Sequence, residues 1–342
     1  MKFGIICPSE IALRRFMPAI QKIEDVEFVG LSVCNSVERF GDLVPDMTIL
    51  NNVLDSEYEK ARQFIELYGG KIFDGYQTII ESDEIEAIYI PLPPALHYKW
   101  AKKALECGKH VLVEKPSTIS AKDTQELVRL ADSKGLALHE NYMFAFHKQL
   151  EDVKTIINMN EIGDIRLYRV SFGFPRRATN DFRYNKALGG GALIDAGGYT
   201  IKYANMLLGD TAKLVYAQMN YIDEFEVDMY GSGALINDEG VVVQVAFGMD
   251  NNYKCELEAW GSKGCLTTGR ILTAPDGFAP TATIRNGNED RIIELSADDA
   301  FQKSIRHFLG CINDIRMRNE NYTTMVRQAE LVDEFRGLAG KL

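Results

Sequence analysis

The chain has 342 residues, 46% of them apolar and 25% charged, an ordinary globular composition with length enough for two domains. Its formal net charge of -11 excludes a broadly basic nucleic-acid-binding surface, though a local positive cluster can still take a small anion. Six scattered cysteines without a CxxC pair exclude a zinc-finger or thioredoxin-like centre, and no apolar run reaches the length of a spanning helix, so the expectation is a cytoplasmic protein with reduced thiols, no metal and no membrane or nucleic-acid partner.

Residues 2–7 (KFGIIC) are an apolar run expected to form a buried strand. Residues 10–23 follow with helical spacing and Ser9 as N-cap, and 26–33 (VEFVGLSV) form a second strand. Strand, tight turn, helix and strand in about 30 residues make a βαβ unit and hence a parallel sheet. The stretch 41–60, with Pro45 and Asn51-Asn52, lacks clean periodicity and is expected to be an inserted loop with some helix. Alternation resumes with helices over 59–68 and from 76, a strand over 85–90, a helix over 97–108 stopped by Gly108, a strand over 110–116, a helix over 120–135 and a strand over 136–142. Beyond these, 165–174, 214–222, 241–249 and 254–262 alternate like strands with one solvated face, with a helix over 189–209 among them and two helices near 299–318 and 323–340 at the end. The expected class is α/β: a doubly wound parallel sheet over 1–140, then an α+β domain with an open, mostly antiparallel sheet over 141–342, its terminal helices able to pack back on the first domain.

The first turn reads Cys7-Pro8-Ser9-Glu10-Ile11-Ala12, where a dinucleotide fold usually carries GxGxxG or GxGxxA. Both leading glycines are gone. Ser9 is the smallest polar substitute, Ala12 keeps close helix–strand contact, and the helix N-terminus still offers N–H groups to an anion; taken alone, the same turn fits any α/β protein. After the second strand no acid awaits a ribose. Asn35, Ser36 and Arg39 stand there instead, which favours NADP over NAD unless Arg39 is simply a solvated helix residue. Pro91 and Leu92, and Glu114-Lys115-Pro116, end later strands, at the edge where doubly wound sheets bind ligands. Pro116 bars helical geometry at Lys115 and permits a cis bond. A lysine there can hold charge beside an oxyanion, or be a surface turn lysine.

Asp195 and Tyr199 are four apart and share a face of the expected helix. Glycines at 189–191, 197 and 198 are costly to order and imply close packing against something large, such as a nicotinamide ring. A tyrosine paired with a lysine is a workable general acid or base, with a carboxylate to orient a partner; a buried tyrosine and a capping aspartate would read the same. Arg176, Arg177 and Arg183 in FPRRATNDFR can meet a diphosphate as forked donors or belong to a solvated loop.

Together these segments resemble the Gfo/Idh/MocA oxidoreductases. AIYIPLPPALHYKWAKKALECGKHVLVEKP (87–116) looks like the family's strand–loop–helix–strand block ending in EKP, and HENYMFAFH (139–147) and GGGALIDAGGY (189–199) match in order and spacing. The resemblance implies a Rossmann domain, NAD or NADP, and hydride transfer to or from a carbinol of a sugar or related polyol. It implies that Lys115 is the catalytic lysine, that Asp195 is the aspartate before the active-site helix turn, and that His97 lies in the loop beside the nicotinamide. Tyr199 falls where many members have histidine. Members with tyrosine there resemble glucose–fructose oxidoreductase, dihydrodiol dehydrogenases and sugar-nucleotide 3-ketoreductases. The expected site is thus Lys115, Tyr199 and Asp195 for chemistry; Cys7, Pro8, Ser9, Glu10, Ile11, Asn35, Ser36, Arg39, Pro91, Leu92, His97, Glu114 and Lys115 for the cofactor; Lys115, Arg176, Arg183, Asp195 and Tyr199 for the substrate. A homodimer or dimer of dimers is expected through the outer face of the second sheet, with apolar residues outward on strands like VVVQVAFGM. Three features depart from the family pattern: the lost glycines, Pro94 in place of an asparagine, and the insertion at 41–60. The alternative is a non-catalytic NAD(P)-binding regulator of the same fold.

Overall fold

The computed structural model of the chain describes residues 1–40 and 47–340, and among these the side chains other than those of 39, 40 and 47–53. Two compact units emerge, one of Met1–Thr118, Lys122–Asn141 and Ser304–Val326, the other of Ile119–Ala121, Tyr142–Lys303 and Arg327–Leu342.

In the first unit the apolar runs become β1 (Lys2–Ile6), β2 (Glu27–Val33), β3 (Lys71–Asp74), β4 (Ala87–Ile90), β5 (His110–Glu114) and β6 (Leu138–Asn141). All pair in parallel, in the order β3-β2-β1-β4-β5-β6. Helices cover a parallel sheet on both faces, so its central strands read as unbroken apolar runs: every residue of β4 is buried. The strand order reverses between β1 and β4, which sets a ligand crevice at the carboxyl ends of those two strands.

Several elements differ from the sequence reading. Part of the expected loop at 41–60 belongs to a single helix, Met47–Tyr68, while 41–46 lie outside the described residues. Ala61 and Phe64 are buried and Leu54, Tyr58, Ile65 and Tyr68 partly so, a helical spacing that the asparagine pair obscured. β3 escaped notice because only Phe73 of its four residues is buried. The C-terminal helices are Ala300–Asn313 and Ile315–Ala339, and they break at Asp314 rather than near 320. There the Asp314 carboxylate accepts from the backbone N–H of Arg316 at 2.8 Å and of Met317 at 3.2 Å, capping the longer helix.

The second unit holds an eight-stranded sheet of β7 (Ile165–Gly173), β8 (Lys213–Tyr221), β9 (Asp228–Ile236), β10 (Val242–Gly248), β11 (Lys254–Gly261), β12 (Cys265–Gly269), β13 (Thr281–Asn286) and β14 (Glu289–Glu294). Only β7 and β10 pair in parallel. β9 was not foreseen because Gly231 and Gly233 interrupt it. A Cβ at Gly231 would strike the Phe247 ring, and one at Gly233 the Phe335 ring, so the strand gives up side chains to seat two aromatics. On β10, Val243, Val245 and Phe247 are buried and Gln244 and Ala246 exposed. The expected apolar outward face is therefore reversed: this strand's large apolar side chains fill the unit's own core.

Candidate active site

In the first unit, β1 runs into Cys7 at φ 78°. This left-handed conformation is one a glycine adopts freely and a cysteine does not, so the chain still makes the glycine's turn without the glycine. Ser9 Oγ accepts from Ala12 N–H at 3.2 Å and caps the helix that follows. Within that helix Ala12–Phe16 widen into a π-helical turn, which puts Phe16 flat on Tyr89 of β4 with ring centroids 4.0 Å apart. Glu10 pairs with Arg14 on the helix surface, and Ile11 is exposed.

At the end of β2, Asn35 Oδ1 accepts from Glu38 N–H at 2.9 Å while Glu38 accepts from Asn35 N–H at 3.0 Å, a reciprocal capping box. Glu38 also takes the N–H groups of Tyr76 and Gln77, at 2.8 and 2.9 Å. The sequence reading passed over this carboxylate; its oxygens are committed to backbone rather than to a ribose. Ser36 is exposed, and the Arg39 side chain lies outside the described residues.

At the end of β4, Pro91 and Leu92 are buried. His97 is fully enclosed, Nε2 at 2.7 Å from Leu92 O and Nδ1 at 2.7 Å from Pro116 O. Burial pulls the ring's pKa down to about 4 against those two carbonyls, with Lys115 adding to the fall. It is a neutral clamp between the β4 loop and the turn after β5, donating to one carbonyl at a time. Its ring nitrogens therefore hold the loop together. The Lys115–Pro116 bond is cis. Beside it, Glu114 Oε1 accepts from Tyr89 Oη at 2.6 Å and from Asn141 Nδ2 at 2.7 Å; burial pushes this carboxyl's pKa up, opposed by those two bonds and by Lys115.

In the second unit, Leu193–Gly197 form another π-helical turn that passes into the helix Gly198–Leu208. Such turns often mark functional stretches of helix. The Tyr199 ring is braced by Tyr142 at 5.2 Å, Phe172 at 5.3 Å and Phe144 at 5.7 Å between centroids. The neighbouring glycines are explained by the unit's own side chains rather than by a cofactor. A Cβ on Gly198 would collide with the Tyr142 hydroxyl, and one on Gly197 would come within 3.1 Å of the Phe247 ring. Gly190 and Gly191 likewise lie against the Arg183 carbonyl and the Asp228 carboxylate.

Asp195 Oδ2 accepts from Arg183 Nε at 2.7 Å, and Arg183 Nη1 also donates to Asp181 at 3.1 Å. Burial opposes the guanidinium's charge, but the two carboxylates outweigh it and raise its pKa. Arg176 is elsewhere, in an exposed pair with Asp250 and Glu224, and Arg177 lies over the Phe174 ring at 5.3 Å. Lys202, which the sequence reading missed, is buried three residues beyond Tyr199, its ammonium 5.8 Å from the Tyr142 ring centroid. Among the described residues, no group of three His, Cys, Asp or Glu side chains is placed to hold a metal.

Residues 28–142 match a family profile described as an oxidoreductase family with an NAD-binding Rossmann fold, and 150–267 match the Gfo/Idh/MocA C-terminal domain. The chain is 35% identical to a dTDP-3,4-didehydro-2,6-dideoxy-alpha-D-glucose 3-reductase of Streptomyces violaceoruber, over 99% of this chain and 95% of the relative. It is 33% identical to the enzyme of the same name from Actinomadura kijaniata, over 98% and 95%. Its structure matches that of a 3-ketoreductase from Actinomadura kijaniata in complex with NADP and TDP-benzene at a TM-score of 0.88 and 32% identity, over 99% of this chain and 97% of that one. The chain belongs to the Gfo/Idh/MocA oxidoreductase family. It is an NAD(P)-dependent oxidoreductase, and the alternative of a non-catalytic regulator gives way to relatives that are reductases and dehydrogenases along nearly its whole length.

The first unit of this family member fits a dinucleotide by its own geometry. The strand order, the left-handed turn at Cys7 and the helix that Ser9 caps are the features with which a doubly wound sheet can receive an anion.

Proposed function

We propose that this enzyme reduces the 3-keto group of a sugar carried on a nucleoside diphosphate, with NADPH as reductant. The observation that carries the reading is the end-to-end similarity to dTDP-sugar 3-reductases, from 31 to 35% over 97–99% of the chain. When bound, the dihydronicotinamide supplies the hydride. Tyr199 donates its hydroxyl proton to the ketone oxygen as that oxygen gains charge. Lys115 holds positive charge that eases the proton's departure, and Asp195 orients the sugar hydroxyls. Arg183 serves to hold Asp195, since its fork is spent on two mostly buried carboxylates; Arg176 is paired too, with Asp250 and Glu224, but at the surface where a ligand can compete, so a diphosphate is left to Arg176 and Arg177. Assaying NADPH oxidation with a 3-keto dTDP-sugar, and NADP+ reduction with a panel of free aldoses and dihydrodiols, tests the reading. Turnover confined to the free sugars or diols would refute it.

Cys7, Pro8, Ser9, Pro91, Leu92 and Lys115 hold the dinucleotide in this reading, with Ser36 and Asn35 near the 2′-phosphate. No carboxylate among the described residues after β2 is left for a ribose, because Glu38 is committed to backbone caps. NADPH is therefore expected to bind more tightly than NADH. Fluorescence titration with both is the check, and a tighter NADH would reverse the assignment.

The enzyme works as a homodimer or dimer of dimers in the cytoplasm. Its six cysteines form no disulfide, which suits a reducing compartment, and none of the described helices is long and apolar enough to cross a membrane. The outer face of the eight-stranded sheet exposes Tyr216, Tyr230, Trp260 and Ile292 around a polar centre of Arg169, Gln244 and Glu258. Sedimentation is expected to give a dimer or larger at micromolar concentration; a monomer there rules this face out as a stable interface.

A further inference from the structure

A line of polar side chains runs through the interior of the first unit, from the strand end at Lys115 to the C-terminal helices. Tyr89 and Asn141 donate to Glu114 as described. Ser304 Oγ donates to Asn141 Oδ1 at 2.8 Å. His139 Nε2 lies 3.0 Å from Ser304 Oγ, and His139 Nδ1 lies 2.8 Å from Asn321 Oδ1. Asn321 Nδ2 donates to Leu138 O at 2.8 Å, which fixes the orientation of that amide. His139, Asn141, Ser304 and Asn321 are all buried.

Donors and acceptors can be counted along this line. The single Ser304 proton goes to Asn141, so Ser304 can meet the ring only as an acceptor, and Asn321 Oδ1 can only accept. Both nitrogens of His139 then carry protons, and the ring is an imidazolium facing, through Ser304 and Asn141, a carboxylate at Glu114. One other arrangement is equally complete. Glu114 takes the proton and donates to Asn141 Oδ1 with that amide turned over. Asn141 Nδ2 donates to Ser304, Ser304 donates to His139 Nε2, and Nδ1–H still meets Asn321. The two arrangements hold the same number of protons. With the shared proton absent, one contact has no hydrogen; with a second added, the Ser304 hydroxyl loses its acceptor.

We propose that Glu114, Asn141, Ser304 and His139 form a one-proton relay that sets the charge beside Lys115, its proton resting on His139 and its anion on Glu114. Burial raises the Glu114 pKa, opposed by its hydrogen bonds from Tyr89 and Asn141 and by the charge on Lys115, and groups linked in this way titrate as a pair. His307 packs 5.3 Å from His139, and burial lowers its pKa, opposed by Asn321 and Glu320. The Phe308 ring lies 6.4 Å from His139 between centroids. The Glu114 carboxylate and the Lys115 ammonium attract one another, so the charge on Glu114 sets the field in which Lys115 acts. These are positioning residues acting through Lys115; the kinetic consequence rests on the proposed role of Lys115, whereas the state of His139 does not.

Nitrogen-15 NMR of histidine-labelled enzyme, with His139 assigned through His139→Asn, reads the relay without any turnover. The wild-type ring is expected to be doubly protonated at pH 7.5. In Glu114→Gln, whose amide donates to Asn141 as a neutral acid would, the ring is expected to be neutral with its proton on Nδ1. A neutral ring in the wild type, or a charge state indifferent to Glu114→Gln, overturns the relay. In turnover, the kcat pH profile should move to lower pH in Glu114→Gln and, to a smaller extent, in His139→Asn, where the shared proton is left to Glu114. A relay intact by NMR with both profiles unmoved overturns the role of Lys115 instead.

Discussion

Tyr199→Phe is expected to lower kcat by roughly 10²–10⁴-fold with cofactor affinity nearly unchanged, since it removes one hydroxyl and little volume from the proposed general acid. The three aromatic rings around Tyr199 hold the phenylalanine in the same place, so a fall in rate reports the lost proton donor rather than a shifted helix. Lys115→Ala is expected to cost rate and to weaken cofactor binding as well. The double variant should be far less impaired than the product of the single effects, as for residues that act as one unit. Single-turnover rates and cofactor titrations on the three variants check this. Near-wild-type turnover in Tyr199→Phe would move the proton donor elsewhere, and His97 is a poor substitute because both its nitrogens face backbone carbonyls.

Arg183→Leu is expected to destabilise the enzyme by about 3 kcal/mol, the cost of leaving buried charge without its partner. Asp195 and Asp181 keep only 12% and 17% of their side-chain surface exposed, so solvent does little to replace the guanidinium. For a domain of this size the melting temperature should fall by roughly 6–12 °C. Adding Asp195→Asn should restore part of the loss, because it removes one of the two stranded charges. Calorimetry of the single and double variants decides it. Unchanged melting in Arg183→Leu would return this arginine to the substrate's diphosphate.

Much of the architecture follows from local pattern. Strands such as β4 and β5 are buried on both faces, so they stand out as apolar runs, and their alternation with helices dictates a parallel sheet. Lys115, Asp195 and Tyr199 became candidates because the residues around them, EKP and GGGALIDAGGY, carry a combined pattern that belongs to one family. The first half of the helix Met47–Tyr68 and the strands β3, β9, β12, β13 and β14 were not legible, because asparagines, glycines and exposed polar residues blur their periods, and packing rather than propensity decides them.

Partnership is what only the tertiary structure decided. Residue type made Arg183 a candidate for a diphosphate, and distance gave it to Asp195 and Asp181. Position made His97 a candidate for the cofactor, and burial turned both its nitrogens onto backbone. The cost of Gly198 suggested a bound ring, and the Tyr142 hydroxyl fills that space. The line from Glu114 to Asn321 joins residues 114, 139, 141, 304 and 321. Sequence alone determines which groups can donate, accept or carry charge. Which of them meet depends on long-range packing that brings distant segments within about 3 Å of one another, the reach of a hydrogen bond.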